Sequence, residues 1–386
     1  MQAAKILACL SLGALAVWLL AIALVLNTRG YESWPTDFTV FWRAAGLALA
    51  GDATAAFDSG TLGDVWQIPG GENLRADWLY PPTFLLFALP FGALSFSLAL
   101  GLFLVLGLGL FAAAVRGIVG RTPGMLWLVL ASPAVPLALQ LGNISLHLAA
   151  ALAAATGALL AGRALGAGTA IAAFTVKPQL GLAFPLALAA GAAWRTFITA
   201  AAASMALTVL ATAMFGIEYW QALAAKLSEH VALLEGWEGL IVTPYGMARS
   251  WGLAQTPALV FHAALAGGAA CALVLVWRRA PNTDIALALL CLVLPFLPPR
   301  ALYYECALLL VAFVHLWRAG AAKLFGGRLS LVFCWSGAPL LTQSLADLSL
   351  TPVYAIGHAA AIAWATWFAL SHAATRSPEQ QENLER

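Results

Sequence analysis

Residues 5–26, 95–115, 256–277 and 354–372 each run for about 20 residues with almost nothing but apolar side chains, the length that spans the hydrocarbon of a bilayer as a helix. In lipid every backbone amide and carbonyl must be satisfied within the segment, so such runs leave the chain little choice but a bundle of helices. The rest of the chain agrees: of 386 residues, 62% are hydrophobic and 9% charged, with a mean hydropathy of +0.88, whereas soluble domains average about 25% charge. An all-α, polytopic membrane protein follows. The net charge of +2 and the scatter of the basic residues exclude a nucleic-acid-binding face. Cys9, Cys271, Cys291, Cys306 and Cys334 lie in or beside apolar runs without metal-ligand spacing and read as small core residues.

Charge sorts the loops. Between the first run and "DWLYPP" lie seven of the seventeen acidic residues, from Glu32 to Asp77, against Arg29, Arg43 and Arg75. Arg163, Trp194-Arg195, Arg278-Arg279 and "WRAGAAKLFGGR" mark the opposite, cytoplasmic ends under the positive-inside rule. This predicts about 12 spans in one domain over residues 1–376 and a cytoplasmic tail at 377–386, with both termini inside. Two large extracytoplasmic loops, 27–77 and 217–253, complete the layout. One stretch conflicts with this count: two apolar runs, 79–93 and 95–115, separate the acidic loop from Arg116, yet a change of side needs an odd number of crossings. In each large loop the pattern predicts a helix. After Asp37, the residues Phe38, Phe41, Trp42, Ala45 and Leu49 recur at helical spacing, suiting a helix in the headgroup plane with its aromatic face toward lipid.

No D-x-D pair, H-E-x-x-H, G-x-G-x-x-G or P-loop occurs, which disfavours metal-bound nucleotide-sugar chemistry, metalloproteolysis and ATP hydrolysis. No metal ligands and no cofactor are expected. Lys177, followed by Pro178, interrupts the apolar stretch 166–193; it is a snorkelling interface lysine or a phosphate contact at a helix break. Gln140 and Asn143 in "QLGNIS" supply uncharged hydrogen-bonding groups, which can equally glue helices together. After Pro298-Pro299, a cation, two phenols and a carboxylate gather at Arg300, Tyr303, Tyr304 and Glu305, either as a site or as a self-satisfied Arg–Glu pair with belt tyrosines. Tyr80 carries the same alternative. Asp37 could serve as a helix cap, a catalytic base, or both.

In order and spacing, "TDFTVFWRAAGLALAGD", "WLYPPTFLLFALPFGAL", "LQLGNIS" and "FTVKPQLGL" resemble glycosyltransferase family 87, of the GT-C class of polytopic transferases. The resemblance runs from Asp37 to Gly181 and more loosely through "TPYGMARSWGL" to "PPRALYYECALL". It implies transfer of a sugar, mannose in characterised members, from a polyprenyl-phosphate donor at the extracytoplasmic face of a bacterial inner membrane. The acceptor would be a glycolipid or glycan. Asp37 matches the family's first-loop aspartate, taken as the base. Where the mannosyltransferase branch carries a proline followed by aromatic and histidine residues, this chain has Tyr303, Tyr304 and Glu305.

Together these readings place Asp37 as base, Lys177, Arg300, Arg249, Gln140 and Asn143 around the donor phosphate, and Trp42, Arg43, Tyr80, Tyr245, Tyr303, Tyr304 and Glu305 about the sugar and acceptor. Two rivals remain. A carrier or flippase of lipid-linked sugar would use the same groove without needing Asp37, and a secondary transporter would require a buried carboxylate, for which Glu305 is the candidate.

Overall fold

The computed structural model describes residues 13, 37–67, 73–75, 77–120, 122, 124–233, 240–336 and 351–373. Apart from Gly13, the expected first span with Cys9 lies outside these residues, as do Glu32 and the C-terminal tail. The described chain is helical apart from a small antiparallel hairpin, β1 (Asp64–Gln67) and β2 (Asn73–Arg75), in the first large loop. Four helices are long and apolar enough to cross a membrane alone: Phe96–Val119, Trp194–Phe215, Gln255–Arg279 and Thr351–His372.

The chain enters through α1 (Asp37–Leu49), the helix predicted after Asp37. Its aromatic face does not meet lipid. Phe38 and Phe41 are fully buried in protein, Phe38 against Phe91 and Phe103 and Phe41 against Phe84, with ring centroids 4.7–6.0 Å apart. Edge-to-face aromatic pairs gain contact and quadrupole energy that fluid acyl chains cannot match, so tertiary packing overrides the interfacial placement. The partner is α2 (Pro82–Gly92), which lies so close to α1 that a Cβ on Gly92 would meet Ala45 at 2.7 Å.

At 11 residues, α2 is about 16 Å long, roughly half the hydrocarbon thickness, too short to cross by itself. The next helix, α3 (Phe96–Val119), starts beside Phe38 and Trp42 and ends where Ile118 accepts a bond from Arg318. Of the two runs between the acidic loop and Arg116, only α3 is long and apolar enough to cross a membrane alone.

α4 (Met125–Leu130) and α5 (Ala134–Leu141) return toward Asp37, and α6 (Ser145–Leu160) leads away, packed along α3. Without a hydrophobic drive between helices in lipid, close approach of small residues does the work, and the Ala-rich α6, with Gly157 against Ile118 of α3, supplies it. A helical hairpin follows: α7 (Ala164–Ala172) with a 3₁₀ turn at Ala173–Val176, then Lys177, then a 3₁₀ turn at Pro178–Gly181 and α8 (Ala183–Ala190). α9 (Trp194–Phe215) runs beside α7, with Gly168 set tightly against Thr199 and Ala200.

The second large loop holds α10 (Glu218–Leu233), as the sequence predicts, and α11 (Pro244–Ser250), capped by the Thr243 hydroxyl. α12 (Gln255–Arg279) crosses back. The centre of the bundle is α13 (Asp284–Val293) and α14 (Leu309–Arg318), apolar and buried around nearly their whole circumference. Asp284 staples them, accepting from Arg318 Nε at 2.9 Å and meeting His315 Nδ1 at 2.8 Å. α15 (Phe325–Ser336) and α16 (Thr351–Ala373) complete the bundle. Cys291, Cys306 and Cys334 are buried core residues, as the sequence suggests, and Cys271 is exposed.

In the first loop, Asp58 caps the turn Ser59–Leu62. The Thr61 hydroxyl and the Gly60 and Thr61 amides hold its carboxyl below the usual carboxylate range. A lowered folded-state pKa contributes order that is present above the ordinary carboxylate value and is lost as pH falls through the lowered one. Amide-exchange protection at Gly60 and Thr61 should therefore exceed that of Asp58→Ala at neutral pH and converge with it in acid.

Candidate functional site

Five segments distant in sequence meet at one end of the bundle. Asp37 opens α1, half-buried, and its Oδ2 accepts from Asn143 Nδ2 at 2.5 Å. The orientation of Asn143 is fixed by its other end, since Oδ1 accepts from the Ser145 amide at 2.8 Å and from the Ser145 hydroxyl. The amide nitrogen is thereby left to donate to Asp37. Gly142, with φ +57, makes the sharp turn between α5 and α6 that presents Asn143.

Lys177 sits at the apex of the α7–α8 hairpin, where Pro178 cannot donate and the backbone is irregular. Such backbone survives at membrane depth only when buried in protein with its polar groups satisfied. The Thr83 hydroxyl at the start of α2 provides one partner, donating to the Thr175 carbonyl at 2.7 Å. The Lys177 ammonium is buried. It pairs with Glu305 Oε1 at 3.0 Å, lies 4.9 Å from the Tyr304 ring centroid and 5.9 Å from that of Tyr80, and is within electrostatic reach of Asp37. Glu305 is itself held, because Oε2 accepts from the Leu302 amide at 3.2 Å.

Glu305 lies in a short 3₁₀ helix, Tyr303–Leu308, and the residues just ahead of it are tied to the second loop. Val242 N donates to Ala301 O at 3.0 Å, the Thr243 hydroxyl donates to Pro299 O, and Ile241 bridges Leu302. Tyr303 is buried with its ring 5.4 Å from that of Tyr304. Arg300 does not pair with Glu305, whose partner is Lys177; its guanidinium lies 5.8 Å from the buried Tyr245 ring. Arg249 donates to Leu253 O at 2.9 Å, at the end of its own helix. Gln140 is half-buried on α5, three residues before Asn143. Trp42 and Arg43 turn to backbone carbonyls, Trp42 Nε1 to Leu94 at 2.9 Å and Arg43 Nη1 to Leu62 at 3.0 Å. These bonds hold α1 to its neighbours and give the two residues a positioning role.

Tyr80 stacks on Phe84 at 4.4 Å and faces Lys177. It is braced by residues that the sequence pattern does not single out. Tyr219 of α10 donates to the Tyr80 carbonyl at 3.1 Å and accepts from Trp78 Nε1 at 2.5 Å, while Lys226 pairs with Asp77 at 3.0 Å. Only the proximity of the two loops reveals this brace, since the partners lie 139 and 141 residues apart. Tyr219→Phe leaves the Trp78 donor unpaired in a buried site, costing about 1–3 kcal/mol. A lower unfolding midpoint in detergent, with Trp78 emission shifted, would register it.

Beside the hairpin apex, a pocket of about 310 Å³ opens between α7, α8 and α9, lined by Phe174, Thr175, Pro178, Phe184 and Phe197 among others. Its lining is almost wholly apolar, next to the one buried lysine of the site.

The fold and site define a polytopic membrane protein with a carboxylate, a buried ammonium and aromatic rings converging at one end of a helical bundle. The family model for Glycosyltransferase family 87 matches residues 78–299, more than half of the chain. The chain belongs to that family and is a membrane glycosyltransferase. No curated protein and no solved structure matches it. The matched region contains Tyr80, Asn143 and Lys177, and the fold brings Asp37 and Glu305 to them from outside it.

Proposed function

We propose that this glycosyltransferase moves a sugar, mannose first among candidates, from a polyprenyl-phosphate donor to a glycolipid or glycan acceptor at the extracytoplasmic face. The observation that carries this is the juxtaposition of Asp37 with Lys177, one group suited to take a proton and the other to hold a leaving phosphate. Asn143 occupies one oxygen of the Asp37 carboxylate, leaving the other for an acceptor hydroxyl. In the step proposed, that hydroxyl oxygen bonds to the anomeric carbon as its proton passes to Asp37. The bond from that carbon to the phosphate oxygen breaks, and the lipid phosphate departs with the electron pair toward Lys177. A single displacement inverts the anomeric configuration, by the logic that separates the two glycosidase geometries. A phosphate is already a good leaving group, so the step needs no metal. The apolar pocket beside Lys177 suits the first isoprene units of the donor, and Tyr80 and Tyr304 suit the sugar.

The reading includes a GT-C-type bundle of about 12 spans, in which a broken helix pair such as α4 with α5 makes one crossing. With the site on the extracytoplasmic side, both termini would be cytoplasmic in a bacterial inner membrane. The test is a transfer assay in proteoliposomes with synthetic polyprenyl-phosphate mannose and a panel of lipid acceptors. A mannosylated product of inverted anomeric configuration is expected. Uptake or flipping of the donor without any glycosyl product would overturn the reading.

A further inference from the structure

At the opposite end of the bundle from Asp37, α3, α6 and the starts of α7 and α9 line a second pocket, open at the surface and of about 690 Å³, with Arg163 and Arg195 exposed at its rim. That volume is typical of small-molecule sites. Its wall is small and apolar, with Ala113 and Gly117 from α3 and Ala154 from α6, and two arginines line it, Arg163 and Arg195. Tight turns put them there. Gly162 at φ +67 swings the chain from α6 into Arg163, Ala192 at φ +51 precedes α9, and the contact of Gly168 with Thr199 draws the two helix starts together.

Among the described residues neither guanidinium makes a hydrogen bond or ion pair, and no acidic side chain lines the pocket. Two unpaired cations facing one cavity repel each other, and an anion between them relieves that repulsion. Apart from the arginines the lining side chains are alanine, glycine and leucine, which suits a guest with an apolar part, and Leu165 and the neighbouring Trp194 are 68% and 54% exposed. Exposed tryptophan beside arginine is the signature of headgroup depth. The basic loops that contain Arg163 and Arg195 are those the charge pattern assigns to the cytoplasmic side, where basic pockets between spans recruit anionic headgroups.

We propose that this pocket binds an anionic phospholipid, its phosphate between Arg163 and Arg195 and one acyl chain along the Ala and Gly wall of α3 and α6. The site is separate from the transferase centre and does not depend on its chemistry. The full-length protein, purified in detergent, would be measured by native mass spectrometry with phosphatidylglycerol and phosphatidylcholine of matched chains at equal concentration. The wild type should retain phosphatidylglycerol preferentially, and R163Q/R195Q should reduce that preference by about tenfold or more. Ala154→Leu, which fills the wall without changing charge, should lower retention of phosphatidylglycerol. An unchanged preference in R163Q/R195Q would overturn the proposal. Unchanged retention in Ala154→Leu would overturn it too, since a site for free phosphate alone has no use for the wall. If R163Q/R195Q does not elute as a folded protein, Ala154→Leu decides the outcome.

Discussion

Asp37→Asn is expected to lower transfer by about 10²–10⁴-fold, the usual contribution of a positioned general base, while leaving the protein folded. The substitution keeps the shape of the side chain, and the new amide oxygen can still accept from Asn143 Nδ2, so the contact between α1 and the α5–α6 turn survives. What is lost is the capacity to keep a proton. The contrast is sharpened by Asn143→Leu, which leaves the carboxylate but removes the donor that orients it. Its rate should fall less than that of Asp37→Asn. Both are read with radiolabelled polyprenyl-phosphate mannose in proteoliposomes, with monodisperse elution as the control for folding. Wild-type rates in folded Asp37→Asn would remove the base assignment outright.

The second large effect concerns the buried pair of Lys177 and Glu305. Lys177→Met leaves the Glu305 carboxylate without its partner in a site with 5% side-chain exposure. Breaking a buried pair from one side costs about 3–5 kcal/mol, because the remaining charge has lost its compensation. The unfolding midpoint of Lys177→Met in detergent should fall sharply. Adding Glu305→Met to the same chain should recover most of that loss, since an apolar pair of similar volume is often neutral or better. Transfer should not recover with it, because the ammonium that would meet the phosphate is gone. Stability and activity therefore part company in the double variant. A double variant as active as the wild type would show that Lys177 serves only to neutralise Glu305.

Glu305→Gln separates the transferase from the transporter reading. The amide oxygen can still accept a bond from the Leu302 amide, but the buried Lys177 ammonium loses its counter-charge, so the unfolding midpoint should fall and activities are compared in the folded fraction. A transferase should keep product formation with an altered KM for the anionic donor. A proton-coupled carrier would lose its flux.

Helices were legible wherever the pattern was local. The helices after Asp37 and in the second loop follow from the spacing of their apolar residues, and the break at Lys177 from the proline behind it. The side on which an aromatic stripe settles was not legible. Phe38 and Phe41 read as lipid-facing until Phe84, Phe91 and Phe103 arrive from a helix pair 40 or more residues on. The same limit applies to charges: Glu305 stands five residues from Arg300 in sequence yet pairs with Lys177, 128 residues away.

The sequence by itself determined the class of protein, because 20-residue apolar runs have one stable outcome in lipid, and it determined which polar residues are costly enough to matter. Only the tertiary structure decided how they combine. A helical period says which residues share a face but nothing about which distant face they meet. The convergence of Asp37, Asn143, Lys177 and Glu305, and the brace of Tyr219 on Tyr80, come from long-range packing that no local pattern encodes.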